Sequence, residues 1–212
     1  MTFTRALANT RVLAVASLGL LPCIEHFKRA APDARNWLIV VVFWGAVGWA
    51  AVIVPSVATL VASAALAWGL VALAAIDLRA FRLPDALTLP LTVVGLAAAA
   101  VISRLGWVEH LAGAVAGYAA FVAVGWIYRR LRGREGLGLG DAKLLAVAGA
   151  WLGWRSLPSV VLIGAVCALI WALALRLRDR ERSAHEPLAF GAPLCLAIWW
   201  TWLYGPLEPQ FS

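Results

Sequence analysis

The sequence predicts an all-α membrane protein, a polytopic helical bundle of about seven or eight spans. Of its 212 residues, 63% are hydrophobic and only 14% are charged, which is far from the balance of a soluble domain. The hydrophobic residues gather in runs close to the ~20 residues that a membrane-spanning helix needs. The basic residues lie in short loops between these runs, so the net charge of +7 indicates membrane topology and not a nucleic-acid-binding face.

Residues 1–36 are predicted to form an N-terminal anchor or interfacial helix followed by a polar loop. The apolar run at 12–24 is shorter than a full span and contains Pro22. A basic start before a short apolar core is also typical of a signal peptide, but no small-x-small cleavage site follows it, which favours an uncleaved segment. Whether 12–24 crosses the membrane stays open.

Residues 37–205 are predicted to form the membrane-embedded domain, followed by a short tail at 206–212. At 1.5 Å per residue, the run at 142–154 covers only roughly 20 Å of a ~30 Å hydrocarbon core. We therefore expect either a helix that continues to 157 or a recess beside its start that water enters. Gly113 and Gly117 predict a face on which a neighbouring helix packs closely. The expected spans are 37–54, 57–76, 86–102, 111–128, 142–154, 159–175 and 188–204.

The basic residues predict which side of the membrane each loop occupies. Arg104 and Arg155 fall on one side, whereas the opposite side holds many more cations, and the positive-inside rule makes that opposite side cytoplasmic. The residues assigned to the cytoplasmic side are Lys28, Arg29, Arg35, Arg79, Arg82, Arg129, Arg130, Arg132, Arg134, Lys143, Arg176, Arg178, Arg180 and Arg182.

Two carboxylates are the candidate catalytic residues. Asp77 closes one predicted span and Asp141 opens another, and the topology puts both at the cytoplasmic membrane face. Charged groups at the edge of hydrocarbon are costly unless they face a wet site or a partner. A pair that shares one proton can divide peptide hydrolysis between a base that activates water and an acid that protonates the substrate. No serine or cysteine nucleophile motif competes with this pair.

Neither a metal nor a cofactor is expected. The cysteines form no CxxC pair, and the histidines fit no metal-ligand spacing such as HExxH. The glycine-rich loop at 133–140 lacks the Gly-Lys-Ser/Thr of a phosphate loop, so nucleotide binding is not expected. The cysteines and histidines concerned are Cys23, Cys167, Cys195, His26, His110 and His185.

Ordinary structural roles compete at several of these positions. Asp141 and Asp85 each precede an apolar run, where a carboxylate commonly caps a helix, and for Asp85 we favour that role. Asp77 has no such role, because a carboxylate at a helix C-terminus faces the negative end of the dipole. Lys143 either holds Asp141 or a substrate carboxylate, or extends to the cytoplasmic face. With Lys143 and a helix N-terminus beside it, Asp141 is expected to be ionised and to act as the base, with the shared proton on Asp77.

Together, two motifs resemble those of the prepilin peptidase family, the type IV leader peptidases, which are GxGD membrane aspartic proteases. The aspartates are 64 residues apart, and the resemblance covers roughly 37–205. The first motif is Asp77 followed after six residues by Pro84-Asp85, and the second is Gly138-x-Gly140-Asp141-x-Lys143.

The resemblance implies an aspartic endopeptidase that cleaves the short basic leader from type IV prepilin or pseudopilin precursors. Its place would be the bacterial inner membrane, with the active site facing the cytoplasm, in the service of a pilus or a type II secretion system. Asp77 and Asp141 would be the catalytic pair, without a cofactor, and the partners would be the precursor and the lipid bilayer, not nucleic acid. The supporting residues would be Gly138, Gly140, Lys143, Pro84 and Asp85.

Two departures from the family pattern matter. Many members carry a cytosolic insert with paired cysteines near the N-terminus and methylate the new amino terminus, whereas this chain has only the loop at 25–36. The chain therefore resembles a short form, and N-methyltransferase activity is doubtful. The family's Phe-Gly-Pro appears here as Phe190-Gly191-Ala192-Pro193, which makes a substrate-facing role of that turn less secure.

The competing hypothesis is a small proton-coupled transporter in which Asp77 and Asp141 relay protons. Both residues would then lie mid-span, and an internal repeat would be expected. Their positions at the ends of predicted spans, and the lack of a repeat, favour the protease. A purely structural membrane subunit would leave Asp77 unexplained. The sequence does not indicate which precursor is cleaved or whether the enzyme dimerises.

Overall fold

The computed structural model describes residues 34–54, 56–103, 106–133, 138–178 and 189–207, and all regular structure in these ranges is helical. The predicted run at 12–24 and most of the loop after it lie outside the described residues. The chain divides into two compact units, and all packing reported below belongs to Val41–Ser212. The helices are α1 (Ala34–Ile53), α2 (Val57–Ala80), α3 (Asp85–Ile102), α4 (Trp107–Arg132), α5 (Leu139–Leu152), α6 (Leu157–Arg178) and α7 (Gly191–Tyr204), with a 3₁₀ turn at Trp154–Ser156.

The prediction of a polytopic α-helical membrane bundle is confirmed. Four described segments are long and apolar enough to cross a membrane: Val57–Ala80, Asp85–Ile102, Trp107–Leu131 and Trp154–Arg178. The apolar part of α1, Leu38–Ile53, is shorter, and α5 and α7 have 14 residues each. By length alone, four of the predicted seven or eight spans therefore reach across the hydrocarbon, and α5 has the short length expected from its sequence.

Helix ends differ from the predicted bounds where the site lies. α2 continues to Ala80 instead of ending at 76, so Asp77 lies in its last turn, and the predicted loop at 77–85 shrinks to 81–84. Phe81 ends the helix in the left-handed region, with φ 51°, and its N–H donates to the Asp77 carbonyl at 2.9 Å. α5 begins at Leu139 and not at 142, which places Asp141 in its first turn.

Glycines bring α4 and α5 into backbone contact, as Gly113 and Gly117 predict. A Cβ atom added at Gly149 of α5 would lie 2.1 Å from the carbonyl carbon of Gly113, and one added at Gly117 would lie 2.6 Å from the Leu145 carbonyl oxygen. Only hydrogen side chains permit so close an approach. The contacts run in opposite order along the two helices, so the helices are antiparallel and the start of α5 lies beside the end of α4.

Two tryptophans, Trp151 buried and Trp202 half-buried, tie α2, α3 and α7 to this pair. Trp151 of α5 donates from Nε1 to the Leu91 carbonyl of α3 at 2.9 Å, in space left by Gly95. Trp202 of α7 donates to Ser63 Oγ of α2 at 2.8 Å, and the two indole rings pack edge to face at 5.5 Å. Both N–H groups are satisfied within the bundle, as buried indoles require. These contacts fix α2, α3, α5 and α7 relative to one another.

Candidate active site

Asp77 is buried at the end of α2, with 5% of its surface exposed. Its Oδ2 accepts the backbone N–H of Ala192, at the start of α7, at 2.9 Å. The sequence predicts only an unfavourable position, at the negative end of the α2 dipole. The structure adds the positive N-terminus of α7, whose free N–H groups are natural partners for an anion. This contact offsets part of the cost of burying the carboxylate.

Gly191 makes that contact possible. A Cβ atom at this position would lie 2.8 Å from Asp77 Oδ2 and 2.9 Å from Asp77 Cγ, closer than side chains pack. The turn that begins at Phe190, whose role is insecure from the sequence, therefore lies directly against the first aspartate. Sequence reasoning missed Gly191 and Ala192 as site residues. The available signal was the family's Phe-Gly-Pro pattern, which this sequence carries as Phe190-Gly191-Ala192-Pro193.

Asp141 is the third residue of α5 and is half-buried. Burial raises its pKa to about 6, the negative charge of Asp77 adds to the rise, and a hydrogen bond from the Gly138 N–H opposes it. Burial and the charge of Asp77 therefore oppose the ionisation of Asp141 that its helix N-terminus favours. Gly138 is the N-cap residue, so Asp141 also reaches back to it as the acid of a capping box does. The two aspartates are thus close enough to interact electrostatically.

Lys143 contacts Asp85 and not Asp141. Its Nζ forms an ion pair with Asp85 Oδ1, and the Asp85 side chain is 58% exposed. Asp85 is the first residue of α3, whose N-cap is Pro84, so the prediction that Asp85 caps a helix is wrong by one residue. Since residues i and i+2 of a helix do not face each other, Lys143 is poorly placed to hold Asp141. The pair instead joins the start of α3 to the start of α5.

Pro84 and Gly140 complete the set of predicted supporting residues. The Pro84 carbonyl accepts the N–H groups of Leu87 and Thr88 at 3.1 and 3.2 Å, which secures the first turn of α3. A Cβ atom at Gly140 would lie 3.0 Å from Leu83 Cβ, so a larger residue would be crowded there. All the predicted site residues therefore lie where α2 ends and α3, α5 and α7 begin, and we call this region the carboxylate end.

The described histidine lies at the other end of the bundle. His110 Nδ1 is 3.1 Å from the Ala150 carbonyl oxygen, and Nε2 is 2.8 Å from Ser103 Oγ. His26, His185 and Cys23 lie outside the described residues. Within the described ranges, no three histidine, cysteine, aspartate or glutamate side chains gather in the way that a metal site requires.

The sequence profile of the type IV leader peptidase family matches residues 64–173, a stretch that contains both aspartates. The chain belongs to this family. The predicted resemblance is therefore confirmed, and the family match covers the helices that form most of the carboxylate end. No solved structure matches the chain.

Curated relatives of this family bear the name prepilin leader peptidase/N-methyltransferase. One from Aeromonas salmonicida is 41% identical over 140 residues, which is 66% of this chain and 48% of that protein. One from Dickeya chrysanthemi is 46% identical over 127 residues, 60% of this chain and 44% of that protein. One from Burkholderia pseudomallei is 44% identical over 146 residues, 69% of this chain and 47% of that protein. The chain thus spans about half the length of the curated relatives it matches.

Proposed function

We propose that this chain is a membrane aspartic endopeptidase that cleaves the leader peptide from type IV prepilin or pseudopilin precursors, with Asp77 and Asp141 as its catalytic pair. The observation that carries the proposal is the pair itself. Two partly or fully buried carboxylates from α2 and α5 interact at one end of the bundle, within the region that matches the family. Membership of a leader peptidase family and the names of the curated relatives support this substrate class.

The contacts of the pair suggest how it divides the work. Asp77, which accepts the Ala192 N–H, serves as the base and takes a proton from a water molecule whose oxygen attacks the scissile carbonyl carbon. Asp141, whose pKa is raised to about 6, is protonated in a minor fraction of molecules near neutral pH, and in that form it gives its proton to the leaving nitrogen as the C–N bond breaks. This assignment reverses the one expected from the sequence, which rested on the helix N-terminus and Lys143 beside Asp141 and on the helix C-terminus at Asp77. The protonation states of the two carboxyl groups are coupled, so that a change at one changes the proton affinity of the other.

The distribution of cations supports a cytoplasmic active site in the inner membrane. Among the described side chains, most basic residues are at the carboxylate end, whereas Arg155 is at the other end, where it lies 3.8 Å from Glu109. Under the positive-inside rule, the carboxylate end faces the cytoplasm. A precursor would then lay its apolar helix against the bundle and keep its basic leader in water. The cations concerned are Arg79, Arg82, Arg129, Arg130, Lys143, Arg176 and Arg178.

The transporter hypothesis is not supported. Both aspartates lie in the terminal turns of their helices, whereas a proton relay needs them near the middle of the membrane. The proposal covers peptide cleavage alone, and the doubt about N-methyltransferase activity stays a prediction.

Co-expression of the chain with a candidate precursor tests the proposal. Asp77→Asn and Asp141→Asn should each abolish the shortened product, because an amide can neither take nor give the proton. Asp85→Asn should keep most activity, because the Asp85 side chain is exposed and ion pairs of exposed carboxylates contribute only about 0–1 kcal/mol. Membrane levels of each variant, measured by immunoblot, control for folding. An inactive Asp85 variant beside an active Asp77 variant would contradict the catalytic assignment.

A further inference from the structure

Leu83 lies between the start of α5 and the start of α7, at the carboxylate end. It belongs to the short loop at 81–84 that joins α2 to α3, and only 9% of its surface is exposed. A Cβ atom added at Gly140 of α5 would lie 3.0 Å from Leu83 Cβ and 3.2 Å from Leu83 Cδ1. A Cβ atom added at Gly191 of α7 would lie 3.1 Å from Leu83 Cδ1. One side chain therefore packs against both helices through their glycines.

Each glycine adjoins one of the aspartates. Gly140 immediately precedes Asp141, and Gly191 packs against the carboxylate of Asp77, with Cβ-to-Oδ2 and Cβ-to-Cγ separations of 2.8 and 2.9 Å if a Cβ were present. Any change in the volume of Leu83 would thus be felt by the backbone on both sides of the pair. Because protein interiors are close-packed, the lost volume would not simply be absorbed.

The loop that carries Leu83 is held at both ends. Phe81, in the left-handed region with φ 51°, fixes the exit from α2. On the other side, the Pro84 carbonyl accepts two N–H groups of α3, and Asp85 pairs with Lys143 of α5. Leu83 therefore has a fixed position from which to separate its two neighbours.

We propose that Leu83 is a positioning residue of the active site: its side chain, held between Gly140 and Gly191, sets the separation of Asp77 and Asp141. This inference rests on the proposed catalytic role of the pair. A misplacement of about 1 Å in a catalytic group costs roughly 10²-fold in rate. Leu83 does not need to touch the substrate to have this effect.

Kinetics of the full-length, detergent-solubilised enzyme on a precursor test the inference. Leu83→Ala should lower kcat by roughly 10²-fold with KM nearly unchanged, because the aspartates lose their spacing while the substrate-binding surface stays. Leu83→Met, which keeps the volume, should retain most of kcat. If Leu83→Ala does not accumulate in the membrane, Leu83→Val gives the intermediate case and should show a smaller loss of kcat. A normal kcat in the alanine or valine variant would overturn the inference. A rise in KM as large as the fall in kcat would also overturn it.

Substitutions at the two glycines that contact Leu83 test the same packing from the other side. Gly140→Ala should lower kcat because its new methyl group meets Leu83. The double variant with Leu83→Ala loses the contact to Cδ1 at 3.2 Å but keeps the one to Cβ at 3.0 Å, so it should recover only a small part of that loss. Gly191→Ala should be inactive both alone and together with Leu83→Ala, because its methyl group also meets the carboxylate of Asp77. Gly48→Ala is the matched control, since no atom lies within 4 Å of the added methyl group. The proposed arrangement would be contradicted if the effects of Gly140→Ala and Leu83→Ala on kcat were simply additive. It would also be contradicted if Leu83→Ala restored the kcat of Gly191→Ala.

A measurement without catalysis separates this inference from the proposed function. In a chain lacking its native cysteines, Asp77→Cys and Asp141→Cys can be joined by a short bifunctional thiol-reactive reagent such as a bis-methanethiosulfonate. Leu83→Ala should lower the cross-linking yield, and Leu83→Met should not. The same yield in all three backgrounds would reject a spacing role for Leu83. If the double-cysteine chain with Leu83 intact cross-links as expected, and the wild-type chain cleaves no precursor, the proposed function alone would be rejected.

Discussion

At Asp141, burial and the charge of Asp77 act against ionisation, whereas an unburied aspartate titrates near 3.8. Because the folded-state pKa of about 6 is the higher one, ionised Asp141 destabilises the folded protein. This penalty is complete above about pH 6 and disappears as the pH falls toward about 4. A candidate catalytic residue therefore lowers the stability of the folded protein at neutral pH.

Asp141→Asn should raise the Tm of the purified protein at about pH 8, because the amide carries no charge to bury. The gain in the free energy of unfolding is at most about 3 kcal/mol, and it is smaller because solvent reaches the half-buried carboxylate. Thermal unfolding in one detergent at several pH values measures it, and the difference from wild type should shrink between about pH 6 and pH 4.

Glu109→Gln is the control for this measurement. It also removes a carboxylate, but one that lies at the far end of the bundle beside Arg155. It should give no comparable gain at alkaline pH. A lower Tm for Asp141→Asn than for wild type at alkaline pH would show that burial of the Asp141 charge is not a cost.

The α4 and α5 pair sets where Asp141 lies, and its glycines carry the next prediction. Gly149→Ala should destabilise the protein by about 3 kcal/mol or prevent folding, because its methyl group would meet the backbone of Gly113, which cannot turn aside as a side chain can. Membrane abundance and Tm measure the effect, with Gly48→Ala in α1 as the unobstructed control. A Gly149 variant as stable as the control would show that the two backbones are farther apart than described.

Sequence reasoning found the two aspartates because a charge at the end of an apolar run is conspicuous. It also found the close packing of α4, since glycines four residues apart share one helix face. It missed the hydrogen bond from Ala192 to Asp77, because backbone groups 115 residues apart leave no mark on side-chain patterns. The partner of Lys143 was predictable only in part. Asp141 and Lys143 are two residues apart, and such residues do not face each other on a helix. The pairing with Asp85 depends on how α3 and α5 pack, which the sequence does not show.

For the whole molecule, the testable property is its orientation. Single cysteines at Ala80 and Arg130, both at the carboxylate end, should react with a membrane-impermeant thiol reagent only when it has access to the cytoplasm. A cysteine at Trp107, whose ring is 57% exposed at the other end, should react from the periplasm. The background would lack the native cysteines. Labelling of Ala80→Cys from the periplasm would invert the topology and remove the cytoplasmic active site.

The hydrogen bond between α7 and Asp77 has a consequence for biosynthesis. Ala192 is translated 115 residues after Asp77, which at about 5–20 residues per second is a delay of roughly 6–23 s. During that time α2 can already be in the translocon or the bilayer with its carboxylate lacking the amide that later covers it. Under the proposed function, we expect a nascent chain to be inactive until α7 inserts. A chain stalled before α7 carries an uncovered acid in lipid, the kind of defect by which membrane quality-control proteases can recognise an unfinished protein.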